Sequence, residues 1–237
     1  MPAALLHILP DRPLVVASVN TPEDIPAAIA CSDTTADIIE WRLDGLQALT
    51  TEEIHSAITA CPLPPLLTAR RHDEGGFAPW ESESVRMQAL QAHVRTGRWI
   101  DIESRSLAES RKWQMACKDW CQDGAGLLVS MHDFERIPTA AALAKAASEA
   151  NSCGATIFKV AGTAHTLDDV SALGTVFHLA APARLSVMAM GKFGRASRLL
   201  FATAGSVFNY GYLRAASVPG QWPAAGLMQA LRDSGLR

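Results

Sequence analysis

Short runs of apolar and β-branched residues recur along the chain: LVVASV (14–19), IIEWRLD (38–44), PLLTAR (65–70), WIDIES (99–104), GLLVSMH (126–132), ATIFKVA (155–161), RLSVMAM (184–190) and VFNYGYL (207–213). Helical patterns lie between most of them, such as ESESVRMQALQAHVRTG (81–97), IPTAAALAKAASEANSCG (137–154) and LDDVSALGTVFHLA (167–180), with Pro or Gly as punctuation. Strand, helix, strand at this interval is the mark of right-handed parallel crossovers. Eight such units with no linker predict an α/β fold of one domain over 1–237, a closed (β/α)8 TIM barrel whose first strand lies near 14–19. An open doubly wound sheet would want a glycine-rich phosphate loop after its first strand, and SVNTPEDIP supplies none.

Alternation within the runs carries the next inference. Side chains on a strand alternate faces, so Glu40, Arg42 and Asp44 share one face, as do Thr68 and Arg70, Asp101 and Glu103, Ser130 and His132, and Ile157 and Lys159. In an antiparallel sheet that polar face would simply meet water. Parallel strands covered by helices leave only the barrel interior, where charges are costly unless paired or used. Ionisable groups from five strands, mostly near their C-terminal ends, predict an active site at the barrel mouth.

Lys159 stands alone in an apolar strand, whereas Lys112, Lys118 and Lys145 lie on helical patterns and Lys192 in a glycine-rich loop. It is either a structural lysine paired with a carboxylate, or an amine whose pKa is lowered by burial and neighbouring cations so that it attacks a carbonyl; its strand position favours the second. His132 ends the preceding strand, placed to shuttle protons beside that amine. Glu74, in the loop TARRHDEGG, is a candidate to orient the imidazole. Gly191-Lys192 invites a phosphate-loop reading that fails, because the glycine it requires is Ser186. Arg198, on the helix after that loop, either forks onto a substrate carboxylate or caps local structure, and Arg42 and Arg70 carry the same ambiguity.

Composition narrows the field. Hydrophobic residues are 49% and charged residues 19%, ample for a core. The net charge of -3, without blocks of like charge, argues against nucleic acid as a partner. No apolar run approaches the roughly 20 residues of a membrane span, and MPAALLHILPDRP lacks a basic signal region, so no membrane association and a cytoplasmic location are expected. Five cysteines without CxxC spacing predict free thiols rather than a zinc site.

In order along nearly the whole chain, EWRLD (40–44), TARRHDEGG (68–76), DIE (101–103), SMHDF (130–134), FKVAG (158–162), MGKFGRASR (190–198), AGSVFNYG (204–211) and SVPGQ (217–221) resemble the type I 3-dehydroquinate dehydratases. The resemblance implies a (β/α)8 barrel, usually homodimeric, that needs no cofactor or metal. It dehydrates the small molecule 3-dehydroquinate to 3-dehydroshikimate in the shikimate pathway, by syn elimination through a lysine Schiff base. Carried over, Lys159 is the Schiff-base lysine, His132 the general acid and base, and Glu74 the carboxylate that positions it. Glu40, Arg42 and Arg70 match groups that bind the substrate hydroxyls; Arg198, Ser217 and Gln221 match the carboxylate-binding set. Met190 and Tyr210 match residues packed around the bound ring, and Asp101 and Glu103 an inner ionic layer. Three departures are visible: Met131 before the histidine, a shortened N-terminal hairpin, and AGS for the more frequent FGS. The loop AASVPGQWP (215–223) is expected to cover the mouth. The alternatives are another Schiff-base barrel acting on a small oxo acid, such as an aldolase, and a non-catalytic ligand-binding barrel.

Overall fold

The computed structural model describes residues 9–179 and 183–237. Within them run β1 (Leu14–Val19), β2 (Ile38–Arg42), β3 (Pro65–Thr68), β4 (Trp99–Glu103), β5 (Gly126–Asp133), β6 (Ile157–Thr163), β7 (Arg184–Met190) and β8 (Phe208–Tyr212). The α-helices between and after them are α1 (Ile25–Ile29), α2 (Thr51–Ala60), α3 (Glu83–His93), α4 (Ser104–Glu109), α5 (Arg111–Gln122), α6 (Ala140–Ser152), α7 (Leu167–Gly174), α8 (Gly194–Thr203) and α9 (Ala224–Asp233). Side-chain caps trim the expected helices: Ser82 accepts from the Val85 N–H and Thr139 from the Ala142 N–H, so α3 and α6 start just after them. The expected shortening of the N-terminal hairpin concerns a segment that falls largely outside the described residues.

All ladders are parallel, in the order β7-β6-β5-β4-β3-β2-β1-β8. The circle closes between β7 and β8 through a few bonds rather than a ladder. The Val207 N–H donates to the Leu185 carbonyl at 2.8 Å, the Val187 N–H to Ser206 Oγ at 2.9 Å, and Ser186 Oγ to the Phe208 carbonyl at 2.6 Å. Two serine hydroxyls thus replace the strand bonds missing at the seam, giving a curled parallel sheet wrapped by helices, a TIM-barrel-like fold. A two-residue strand absent from the expected pattern, β9 (Trp222–Pro223), pairs with the upper end of β8 at Gly211 and Tyr212. That pairing leads the preceding loop across the mouth.

Alternation sorts the strand residues into two cores. Outward side chains such as Ile39, Trp41, Leu67, Ile102, Val129 and Phe158 are buried beneath the helices. Inward, Leu14, Ile38, Leu66, Trp99, Leu128, Ile157 and Phe208 plug the lower half of the barrel, with Trp99 packed edge-on to Phe208 at 5.4 Å. The polar inward residues lie one step further along the same strands, above this plug. Their charges therefore have water only on the side of the mouth.

Candidate active site

All 11 residues expected at the site line one cavity of about 390 Å³ at the C-terminal ends of the strands: Glu40, Arg42, Arg70, Glu74, His132, Lys159, Met190, Arg198, Tyr210, Ser217 and Gln221. Ser18, Phe77, Phe134, Ala161, Met188 and Val218 also line it.

Lys159 points inward from the middle of β6, buried, with Ser130 of β5 as its register partner. Its Nζ donates to Asp101 Oδ2 at 3.0 Å, lies 3.9 Å from Glu40 Oε1, and sits 4.0 Å from the centre of the Tyr210 ring. Burial pushes the amine below the ordinary lysine value; Asp101 and Glu40 pull the other way, while Arg70 reinforces the fall. Both expected causes, burial and a neighbouring cation, act in that direction, with burial the larger, and the nearest partners of the amine are carboxylates. Asp101 itself is fully buried; that burial would raise its carboxyl, but Arg70 and then Lys159 outweigh it and keep it ionised. Glu40 is held by Ser18 Oγ at 2.7 Å and Thr68 Oγ1 at 2.9 Å.

His132 lies two residues beyond Ser130 on β5, so it stands one layer above Lys159 rather than directly beside it. Its Nδ1 is 3.2 Å from Glu74 Oε2, and its backbone N–H donates to the same oxygen at 3.2 Å. With Nδ1 engaged by the carboxylate, Nε2 is the ring nitrogen outside that contact. Burial, then Arg70 and Lys159, hold the imidazole well below its ordinary range, so it rests neutral. Burial, then Glu103, raises the Glu74 carboxyl to about 7. Glu74 is brought to the histidine by a turn ending at Gly75, whose φ of 85° is left-handed and where a Cβ would meet the Phe134 ring at 2.3 Å.

Beneath these groups lies an ionic floor. Arg70 gives Nη2 to Asp101 at 2.7 Å and Nη1 to Glu103 at 2.9 Å and Ser130 Oγ at 2.6 Å, so its fork is spent on the protein. Arg42 likewise forks onto Asp44 at 3.0 and 2.8 Å and donates to the Gly75 carbonyl at 2.9 Å, with Phe77 stacked 4.7 Å away. Asp44, expected on the strand, sits in a turn just past the end of β2, which is what lets Arg42 reach it. Sequence reasoning missed Arg86: it lies on α3, wholly buried, and donates to the outer oxygen of Glu103 at 2.7 Å. Its only signal was a long cation on the buried face of a helix.

Across the cavity, Arg198 is different in kind. It is buried, and its Nε donates to the Tyr210 carbonyl at 2.9 Å and Nη1 to the Gly194 carbonyl at 2.7 Å, with the Ala189 and Gly220 carbonyls at 3.2 and 3.4 Å. Among the described residues none of its partners is a carboxylate, and burial alone pulls it down to about 10. Gln221 Oε1 accepts from the Ser217 N–H at 3.0 Å and Oγ at 3.3 Å, and the Gly191 N–H bonds the Pro219 carbonyl at 3.1 Å. The loop expected to cover the mouth is thus pinned against the turn after β7, beside Arg198.

The sequence pattern of the type I 3-dehydroquinases matches residues 14–236. The chain belongs to that family. Its members are hydro-lyases, and the similar proteins agree. A 3-dehydroquinate dehydratase of Methanothrix thermoacetophila is 32% identical, over 95% of this chain and 93% of that one. One from Latilactobacillus sakei is 36% identical over 79% of each. The crystal structure of 3-dehydroquinate dehydratase from Geobacillus kaustophilus superposes with a TM-score of 0.81 at 25% identity, covering 93% of this chain and 91% of that one.

Proposed function

We propose that this chain converts 3-dehydroquinate to 3-dehydroshikimate and water by syn elimination through a Schiff base on Lys159, as a step of the shikimate pathway. The observation that carries the reading is a desolvated amine in a polar cavity, with a neutral imidazole one layer above it and an uncompensated guanidinium lining the same cavity. The neutral Lys159 amine adds to the C3 ketone, and His132 helps the carbinolamine lose water, leaving an imine protonated on Nζ. That cation draws electrons from the neighbouring C–H bond. His132 Nε2 then takes the C2 proton, the enamine expels the C1 hydroxyl, and the imidazolium returns the proton to the leaving oxygen as water. Hydrolysis of the product imine restores the amine. One base serving both bonds fits a syn geometry. Asp101 and Glu40, within 3.0 and 3.9 Å of Nζ, stabilise the positive charge that develops there.

Arg198 binds the substrate carboxylate, which supplies the anion its pocket lacks, with Ser217 and Gln221 forming the adjacent edge. Glu40 and Arg42 meet the ring hydroxyls, and Arg70 acts by holding the floor. Met190 and Tyr210 pack against the ring. The same reading makes the protein a cytoplasmic homodimer, which sedimentation and cell fractionation check. No helix among the described residues is long and apolar enough to cross a membrane. The direct test is enone absorbance on mixing with dehydroquinate, alongside a panel of other small oxo acids. Turnover of dehydroquinate that vanishes in Lys159→Met is expected; turnover of an oxo acid in its place would contradict the substrate assignment.

A further inference from the structure

Arg86 enters the ionic floor from outside the barrel. It projects from α3 with no exposed surface, its guanidinium 4.5 Å from the centre of the Trp113 ring. Nη1 donates to Glu103 Oε2 at 2.7 Å and the Ala69 carbonyl at 2.8 Å; Nη2 donates to Ser106 Oγ at 2.6 Å and Glu83 at 2.7 Å. The other oxygen of Glu103 accepts from Arg70 Nη1 at 2.9 Å and the Arg71 N–H at 3.0 Å. The second nitrogen of Arg70 holds Asp101 Oδ2 at 2.7 Å, and that oxygen also accepts from Lys159 at 3.0 Å. A continuous line of charge-assisted bonds therefore runs from the helix layer to the amine. A buried ion triad is a poor source of stability, since desolvation offsets most of the attraction, but its geometry is tightly constrained.

We propose that Arg86 is a positioning residue of the active site: by clamping Glu103 from the helix layer it keeps Arg70 locked on Asp101 and Asp101 on the Lys159 amine. The proposal rests on the Schiff-base reading and extends the site to a residue outside the barrel. Without the cation on α3, Arg70 is the one ion-pair partner left to Glu103 among the described residues, and Glu103 draws that fork away from Asp101. The cluster also gains a negative charge. Glu103 faces Arg70, Arg71, Arg86 and Glu74; the amine faces Asp101, Glu40, Arg70 and His132. Besides Glu103, Arg86 meets Glu83 of its own helix and the neutral Cys117 thiol of α5. Extra negative charge makes both the Lys159 amine and the Glu74 carboxyl hold their protons to higher pH.

The experiment is the pH profile of kcat on dehydroquinate for the wild-type enzyme, Arg86→Gln and Arg86→Lys. Glutamine still donates to Glu103 but carries no charge. Its acid limb should move up by about one pH unit, an activity loss of about tenfold on that limb that recovers in alkali, with KM within about twofold. Lysine keeps the charge and should leave the limb in place. An Arg86→Gln enzyme with the wild-type limb, or with its loss confined to KM, overturns the proposal. If that variant does not fold, Ser106→Ala decides: it removes one anchor of Nη2, and a severalfold fall in kcat at constant KM is expected, whereas an unchanged kcat overturns the clamp. A wild-type enzyme that forms no lysine adduct at all would sink the Schiff-base reading instead, a result separate from either of these.

Discussion

Replacing Glu74 by Gln isolates what this carboxyl costs the fold and what it contributes to the histidine. Its oxygen accepts from both the backbone N–H and Nδ1 of His132 at 3.2 Å, and a glutamine oxygen can do the same, so packing is conserved. Burial, then Glu103, raises the carboxyl from 4.5 to about 7, which corresponds to about 3 kcal/mol against the charged form. The sign follows from that rise. The folded state holds the proton more tightly than the unfolded one, so the stability linked to Glu74 is fully present below pH 4.5 and is lost as pH rises through about 7. Glutamine has no charge to bury, so the variant should match the wild type at pH 4 and exceed it by about 3 kcal/mol at pH 8, a Tm higher by about 6–12 °C. Urea titrations or melting curves at the two pH values measure this. Activity should move oppositely: without the carboxylate the imidazolium is less favourable, and kcat should fall at least about tenfold. A stability difference independent of pH, or a wild type more stable than Glu74→Gln at pH 8, would show that burial does not raise this carboxyl.

Three other outcomes follow from the geometry. Arg198→Met should raise KM for dehydroquinate by about 10- to 150-fold, the worth of a charge-assisted bond of about 1.5–3 kcal/mol, with kcat nearly unchanged; an analogue lacking the carboxylate should show no further loss in the variant, and an equal penalty in both enzymes would count against the role. His132→Ala should still form the covalent adduct but turn over about 10²- to 10⁴-fold more slowly, and full activity would remove it as the proton carrier. Asp101→Asn leaves Arg70 and Lys159 sharing fewer anions in a dry layer, so about 3–5 kcal/mol of stability should be lost in urea; an unmoved midpoint would show that the floor is not held by that charge.

Much of this site was legible from alternation. Thr68, Asp101, Ser130 and Lys159 face inward because a parallel strand flanked by helices has no other place for a polar side chain, and the structure puts them there. A lysine amid IFKVA was conspicuous for the same reason. What strand periodicity does not encode is pairing across the barrel. Arg70 looked like a substrate ligand, yet its fork closes on Asp101 and Glu103, one strand over. Nothing in the helical pattern marks Arg86, because the acceptor that makes it special arrives from β4. Burial as a cause of the lowered Lys159 amine is legible from the apolar strand, whereas the nearness of Asp101 is a fact of register and the depth of burial a fact of the plug beneath. The seam between β7 and β8 depends on Ser186 and Ser206, whose role only the closed circle reveals.

Condensation of the Lys159 amine with a cyclic ketone inside the barrel is open to direct trapping: borohydride is added during turnover of dehydroquinate, followed by peptide mass analysis. One reduced adduct is expected, on the peptide containing Lys159 and dependent on substrate. An enzyme that turns over while that peptide stays unmodified, or an adduct on Lys192 instead, would contradict it.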